Sequence, residues 1–179
     1  KNCDEMQRFI HTAQDLGATY FDHADIYGGG QSESIFGQAM AADPSIKREE
    51  MFLQSKCGIR KGFFDFSKEY ILSSVDGILQ RLQTDYLDCL LLHRPDALME
   101  PEEVAAAFDQ LEQSGKVRYF GVSNHGPMQM ELMKTCVKQP LIINQLQFSI
   151  PVSNMVAAGL EVNMTTAGSC NRDGYVLDY

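Results

Sequence analysis

The chain has 179 residues, enough for one sizeable core, and its 44% apolar and 22% charged residues are the balance of a globular domain in water. A net charge of −9, with lysines and arginines scattered rather than striped, argues against a nucleic-acid binder. Five widely spaced cysteines with no C-x-x-C pair argue against a disulfide framework or a zinc site, and no apolar run approaches the ~18 residues of a membrane span.

In chain order, residues 2–16 read as a helix with Met6, Phe9, Ile10 and Ala13 on one face and Gly17 as its stop. A first strand follows over about Thr19–Asp22. Gly28-Gly29-Gly30 marks a turn, after which Ser32 is placed to cap a helix that directs Ile35, Phe36, Ala39 and Met40 inward. Residues 51–56 predict a second strand. Beyond a glycine-containing loop, Ser67 opens a helix with Ile71, Val75, Ile78, Leu79 and Leu82 on one stripe. Tyr86–Leu92 is a third strand, apolar nearly throughout, as in a sheet covered on both faces. Pro101 then stands at the first position of a helix that turns Val104, Ala107, Phe108 and Leu111 inward and ends at Gly115. Strand four is Val117–Val122. A helix from about Pro127 to Cys136 is expected to bury Leu132, Met133 and Cys136, and strand five is Leu141–Leu146. From Pro151 the periodicity fails, so 151–179 reads as a long loop, with Tyr175-Val176-Leu177 starting a further helix.

One helix followed by repeated strand–helix units is the pattern of right-handed β-α-β crossovers in a parallel sheet. Gly28-Gly29-Gly30 is followed by Gln31, Ser32 and Glu33, which does not give the G-x-G-x-x-G of a dinucleotide-binding open sheet. Four strands end in polar residues: Asp22, Lys56, His93 and Ser123-Asn124. A barrel gathers such tips around one mouth, so the expected fold is α/β, a partial (β/α)8 TIM barrel with about five of eight parallel strands. Residues 1–179 read as a single partial barrel domain. The chain starts at Lys1 inside helix-like sequence and is expected to be a piece of something longer.

Each tip has a plain reading. Asp22 fits a loop-capping acid, Lys56 a solvated strand end, and Ser123-Asn124 a cap for the next helix. His93 fits a core histidine or, with Asp22 and Asp96, part of a metal site, and Gln145 a bond within the barrel wall. Around one mouth with Tyr27, five residues beyond Asp22, the same groups have a joint use. A phenol with an ordinary pKa of about 10 is a weak acid near neutrality. An ammonium beside it favours the phenolate, a carboxylate holds that ammonium charged, and an imidazole orients a carbonyl. Given a hydride donor, such a set reduces a carbonyl, with Tyr27 as the acid. Without one, it enolises or hydrates a carbonyl.

Phe21-Asp22-His23-Ala24-Asp25-Ile26-Tyr27-Gly28, followed by Ser32-Glu33 and Phe36-Gly37, resembles the signature of the aldo-keto reductases. Gln54-Ser55-Lys56 is similar to their lysine strand, Leu91-Leu92-His93-Arg94-Pro95-Asp96 to their histidine strand, and Gly121-Val122-Ser123-Asn124 and Ile143-Asn144-Gln145 to the two strands after it. The likeness runs from about residue 5 to 150 and is strongest to bacterial oxidoreductases of the superfamily. It implies Tyr27 as proton donor, Lys56 and Asp22 as the pair that tunes it, and His93 as the residue orienting the carbonyl. It also implies Ser123, Asn124 and Gln145 against the nicotinamide of NADPH (NADP+), and a small-molecule carbonyl substrate. No metal, nucleic acid or membrane partner is expected, and a reducing cytoplasm is the expected compartment. A nucleotide-binding barrel without catalysis, or an inactive fragment of a reductase, are the alternatives.

Overall fold

The computed structural model describes residues 2–157 together with Val176, Leu177 and Tyr179. Helix α1 spans Cys3–Asp15; the Asn2 side chain caps it by accepting from Glu5 N at 2.9 Å, and Asp4 and Glu5 oppose the dipole in its first turn. Strand β1 is Tyr20–Asp22, and a 3-10 turn over Tyr27–Gly30 leads into α2, Gln31–Ala42. Strand β2 is Phe52–Cys57, followed by a two-stranded hairpin of β3 (Ile59–Arg60) and β4 (Phe63–Phe64). Then come α3 (Lys68–Leu82), β5 (Leu87–Leu92), α4 (Pro101–Gln113), β6 (Val117–Ser123), α5 (Pro127–Lys134), β7 (Leu141–Gln145) and a short α6 (Asn154–Ala157).

Five strands pair in the order β1-β2-β5-β6-β7, every pair parallel, and curl into half of a (β/α)8 barrel with helices outside. All six residues of β5, the central strand, are buried, as a strand covered on both faces demands. The core between sheet and helices runs from Phe21, Phe36 and Leu53 through Ile71, Val75 and Ile78 to Phe108 and Phe120, whose rings stack at 4.1 Å. Two buried acids, Glu33 and Asp88, sit in this layer. Asp88 at the start of β5 accepts from Arg48 at 2.7 Å, Arg118 at 3.0 Å and Leu53 N at 2.9 Å, which compensates its burial. Among the described residues no helix is long and apolar enough to cross a membrane.

Three local expectations are corrected. Ser32 does not cap α2: Gly28, Gly29 and Gly30 all take positive φ, and Gly30 at φ 87° runs straight into the helix as its N-cap, leaving Ser32 in the first turn. Helix α5 buries Met130 and Met133 and leaves Leu132 half-exposed, because Met130, Met133 and Val137 share the face toward the sheet; Cys136 lies beyond the helix end. The loop after β2 contains the β3–β4 hairpin, too short to leave a period in the sequence. The loop expected over 151–179 and the helix start at Tyr175 lie largely outside the described residues; Val176 and Leu177 are in a turn.

Candidate active site

Side chains alternate along β2, so Gln54 and Lys56 project to the concave face while Ser55 projects to the helices. Lys56 is 1% exposed, and its ammonium has an acceptor for each of its three protons. It donates to Asp22 Oδ1 at 2.6 Å, to the His23 carbonyl at 2.8 Å and, more loosely, to the Tyr27 hydroxyl at 3.4 Å. Asp22 stands opposite Gln54 in the β1–β2 register and also accepts from Gln54 Nε2 at 2.6 Å. Its other oxygen accepts from Gln145 Nε2 at 2.9 Å. That last bond joins the two outermost strands of the sheet, β1 and β7, across the concave face. Burial opposes the charged form of Asp22, but bonds from Gln145, Lys56 and Gln54, with the Lys56 charge, outweigh it and hold the carboxyl below its usual range.

Tyr27 is carried by the 3-10 turn after β1 and is 39% exposed, with its hydroxyl over Lys56 and its ring edge-on to His93 at 5.9 Å between centroids. His93, at the tip of β5, is tied to β2 by its N–H donating to the Cys57 carbonyl at 2.9 Å. Burial, then the Lys56 and Arg94 charges, push its imidazole down to about 4, so it is neutral near pH 7. Its buried Nδ1 has no hydrogen-bond partner among the described residues.

At the tip of β6, Ser123 Oγ donates to the Gln145 carbonyl at 3.1 Å and Asn124 Nδ2 donates to Ser123 Oγ at 2.7 Å. Asn124 takes φ 60°, a left-handed conformation that asparagine tolerates better than most residues, and its own N–H donates to the Gln145 carbonyl at 3.0 Å. These two residues do not cap α5; Gly126 and the Gln129 side chain do that. Tyr27, His93, Ser123, Asn124 and Gln145 line one open cleft of about 340 Å³, together with Arg94, Leu146 and Gln147. Asp22 and Lys56 lie beneath Tyr27. All seven candidate residues therefore converge. Asp96 does not join them: it accepts from Leu98 N at 2.9 Å and lines a separate cleft with Phe63 and Phe64.

The sequence reading missed Gln54 and the His23 carbonyl as partners of the Asp22–Lys56 pair. Alternation from Lys56 puts Gln54 on the same face, a signal present in the sequence; the backbone carbonyl carries none. As to cofactor fit, Asn124 and Gln145 line the cleft, and their side-chain carbonyls have no donor among the described residues. A carboxamide has the N–H groups to meet them.

The aldo/keto reductase family model matches residues 1–161. The chain is 46% identical over 155 residues to the uncharacterized oxidoreductase YcsN of Bacillus subtilis, covering 81% of this chain and 51% of that protein. It is 45% identical over 153 residues to the oxidoreductase YdhF of Escherichia coli, again 81% of this chain and 51% of the relative. A crystal structure of the thermostable aldo-keto reductase Tm1743 with the inhibitor epalrestat superposes with a TM-score of 0.72 at 31% identity, over 82% of this chain and 51% of that one. The chain thus spans about half the length of the relatives it matches. It belongs to the aldo/keto reductase family.

Proposed function

We propose that this member of the family reduces an aldehyde or ketone to an alcohol with NADPH, Tyr27 giving the proton to the carbonyl oxygen. The observation that carries the reading is the contact set Asp22–Lys56–Tyr27, closed by side chains from β1, β2 and the 3-10 turn after β1 and opening on the cleft that His93 also lines. NADPH, when bound, supplies the hydride; Ser123, Asn124 and Gln145 are the residues that would hold its carboxamide end.

Every other part falls to the chain itself. His93, neutral near pH 7, donates a hydrogen bond to a carbonyl without adding a charge that would repel Lys56. Tyr27, partly open to the cleft, gives up its proton as the carbonyl oxygen gains electron density. The phenolate left behind faces the Lys56 ammonium, which Asp22 keeps charged and in place. Gln54 and Gln145 hold Asp22, so the base of the site is fixed before a substrate arrives.

The test follows NADPH oxidation with a panel of aldehydes in the parent and in Tyr27→Phe. Loss of a positioned general acid costs about 10²–10⁴-fold in turnover, while NADPH binding, read by nicotinamide fluorescence, is expected to stay within about twofold. Turnover that survives the substitution would overturn Tyr27 as the acid. A parent that binds NADPH and reduces nothing in the panel would favour a nucleotide-binding barrel instead.

A further inference from the structure

On the outer face of β2, Ser55 is fully buried and donates to Glu33 Oε1 at 2.5 Å. Glu33, in the first turn of α2, is itself fully buried, and its other oxygen accepts from Arg81 Nε of α3 at 2.7 Å. A buried ion pair is weak evidence for stability, since apolar residues of the same shape often do as well. Its use here lies in what it connects.

The segment upstream is stitched to the same strand. His23 N donates to the Gln54 carbonyl at 2.9 Å and Asp25 N to the Lys56 carbonyl at 3.0 Å. The chain thus leaves β2 beside Lys56 at Asp25 and returns beside Ser55 at Glu33, and Tyr27 lies inside that closed span. Arg81 supports the span from below: a Cβ on Gly30 would lie 3.0 Å from Arg81 Cδ and 3.2 Å from Nε, so the glycine turn rests on the arginine stem. The Tyr27–Lys56 contact at 3.4 Å is already long for a hydrogen bond, so a shift of about half an ångström at the turn breaks it.

We infer that Glu33 is a positioning residue for Tyr27: by bridging Ser55 and Arg81 it sets the height of the Tyr27 hydroxyl over the Lys56 ammonium. The inference rests on the proposed reductase reading for its kinetic consequence, though not for its geometry. Glu33 touches neither cleft nor substrate and acts only through the turn.

The experiment compares Glu33→Ala with Glu33→Gln in the full chain. Glutamine keeps the length and both hydrogen-bonding positions, since the Ser55 hydroxyl is able to accept as well as donate. Misplacement by up to about 1 Å costs on the order of 10²-fold in rate, so kcat of Glu33→Ala is expected to fall about 10- to 100-fold, with KM and NADPH binding within about twofold. Glu33→Gln is expected to recover kcat to within about threefold. In the absence of cofactor, hydrogen exchange at the amides of Tyr27 and Gly29, bonded to Ala24 and Ile26 at 3.0 Å, is expected to accelerate in Glu33→Ala while α4 and β5 stay unchanged.

Unchanged exchange at these amides overturns the inference, as does acceleration shared evenly by α4 and β5, which marks a purely structural role. Equal kcat losses in the two variants also overturn it. Ser55→Ala, which removes one hydroxyl and leaves the ion pair, gives the same readouts where Glu33→Ala does not fold. A parent that turns over no carbonyl defeats the reductase reading, and the exchange measurement then decides the clamp alone.

Discussion

A lysine at 1% exposure is tolerated only because each of its protons has an acceptor and one of those acceptors is charged. The neighbours divide the work unequally. Asp22 gives Lys56 its shortest bond and its only counter-charge among the described residues, whereas Tyr27 gives the longest. Asp22→Asn keeps the shape and removes the charge. Breaking a fully buried pair costs about 3–5 kcal/mol, but Asp22 is 31% exposed and water relieves part of that, so a loss of about 1–3 kcal/mol in urea unfolding at pH 7 is expected. The sign with pH is fixed by the depressed carboxyl: its contribution is present above the ordinary carboxylate pKa of about 4 and is lost as pH falls through the lower folded value. The gap between variant and parent is therefore expected to close as the solution is acidified past about pH 4. A gap that persists unchanged there would mean the loss comes from the amide N–H groups facing the Lys56, Gln54 and Gln145 donors and not from the missing charge.

At the level of elements, α2 matters more than its modest length suggests, because it carries both the end of the Tyr27 turn and Glu33. It packs on the end of α3 by backbone contact. A Cβ on Gly37 would lie 2.3 Å from the Arg81 carbonyl oxygen and 2.6 Å from the Leu82 carbonyl carbon, neither of which is free to swing aside. Gly37→Ala gains about 1 kcal/mol of helix propensity and incurs an overpacking cost of about 1–3 kcal/mol, and with backbone atoms in the way the cost wins. A net loss of up to about 2 kcal/mol is expected in denaturant unfolding; a gain would show that the two helices separate easily. Elements with a long apolar period were legible in the sequence. Leu87–Leu92 and the Ile71–Leu82 stripe both appear where the pattern puts them, as do the four polar strand tips at Asp22, Lys56, His93 and Ser123-Asn124. What was not legible depends on contacts far apart in the chain. Gln145 reaches Asp22 over 123 residues and Arg81 reaches Glu33 over 48, and no local period encodes either. Ser32 and Leu132 were misplaced for a related reason: a glycine run that caps by conformation, and a helix face set by the sheet beneath it, both lie outside residue-by-residue propensity.

Over the whole molecule, the response to acid is a competition between buried groups of opposite sign. Burial pushes His23 and His93 down to about 4 and lowers His125 as well, so the folded chain resists protonating them. Each contributes stability that is present above the ordinary histidine value of about 6.5 and is lost as pH falls toward its folded value. Asp25 works the other way: burial, then the charge of Glu33, push it up to about 6, so its contribution is present below about 4 and is lost as pH rises through 6. Between pH 6.5 and 4 the three imidazoles therefore cost stability while one carboxyl returns some. Allowing for partial solvent access, each fully titrated group is worth about 1–3 kcal/mol, so His23 and His93 against Asp25 leave a net fall of about 1–3 kcal/mol, and His125 adds in the same direction. Urea midpoints measured from pH 7 to 4.5 are expected to decline accordingly. Asp25→Asn is expected to steepen that decline and to raise stability at pH 7, because it removes the only one of these groups that gains on acidification. Midpoints that stay flat from pH 7 to 4.5 in the parent would mean the imidazoles titrate as freely in the fold as in the unfolded chain.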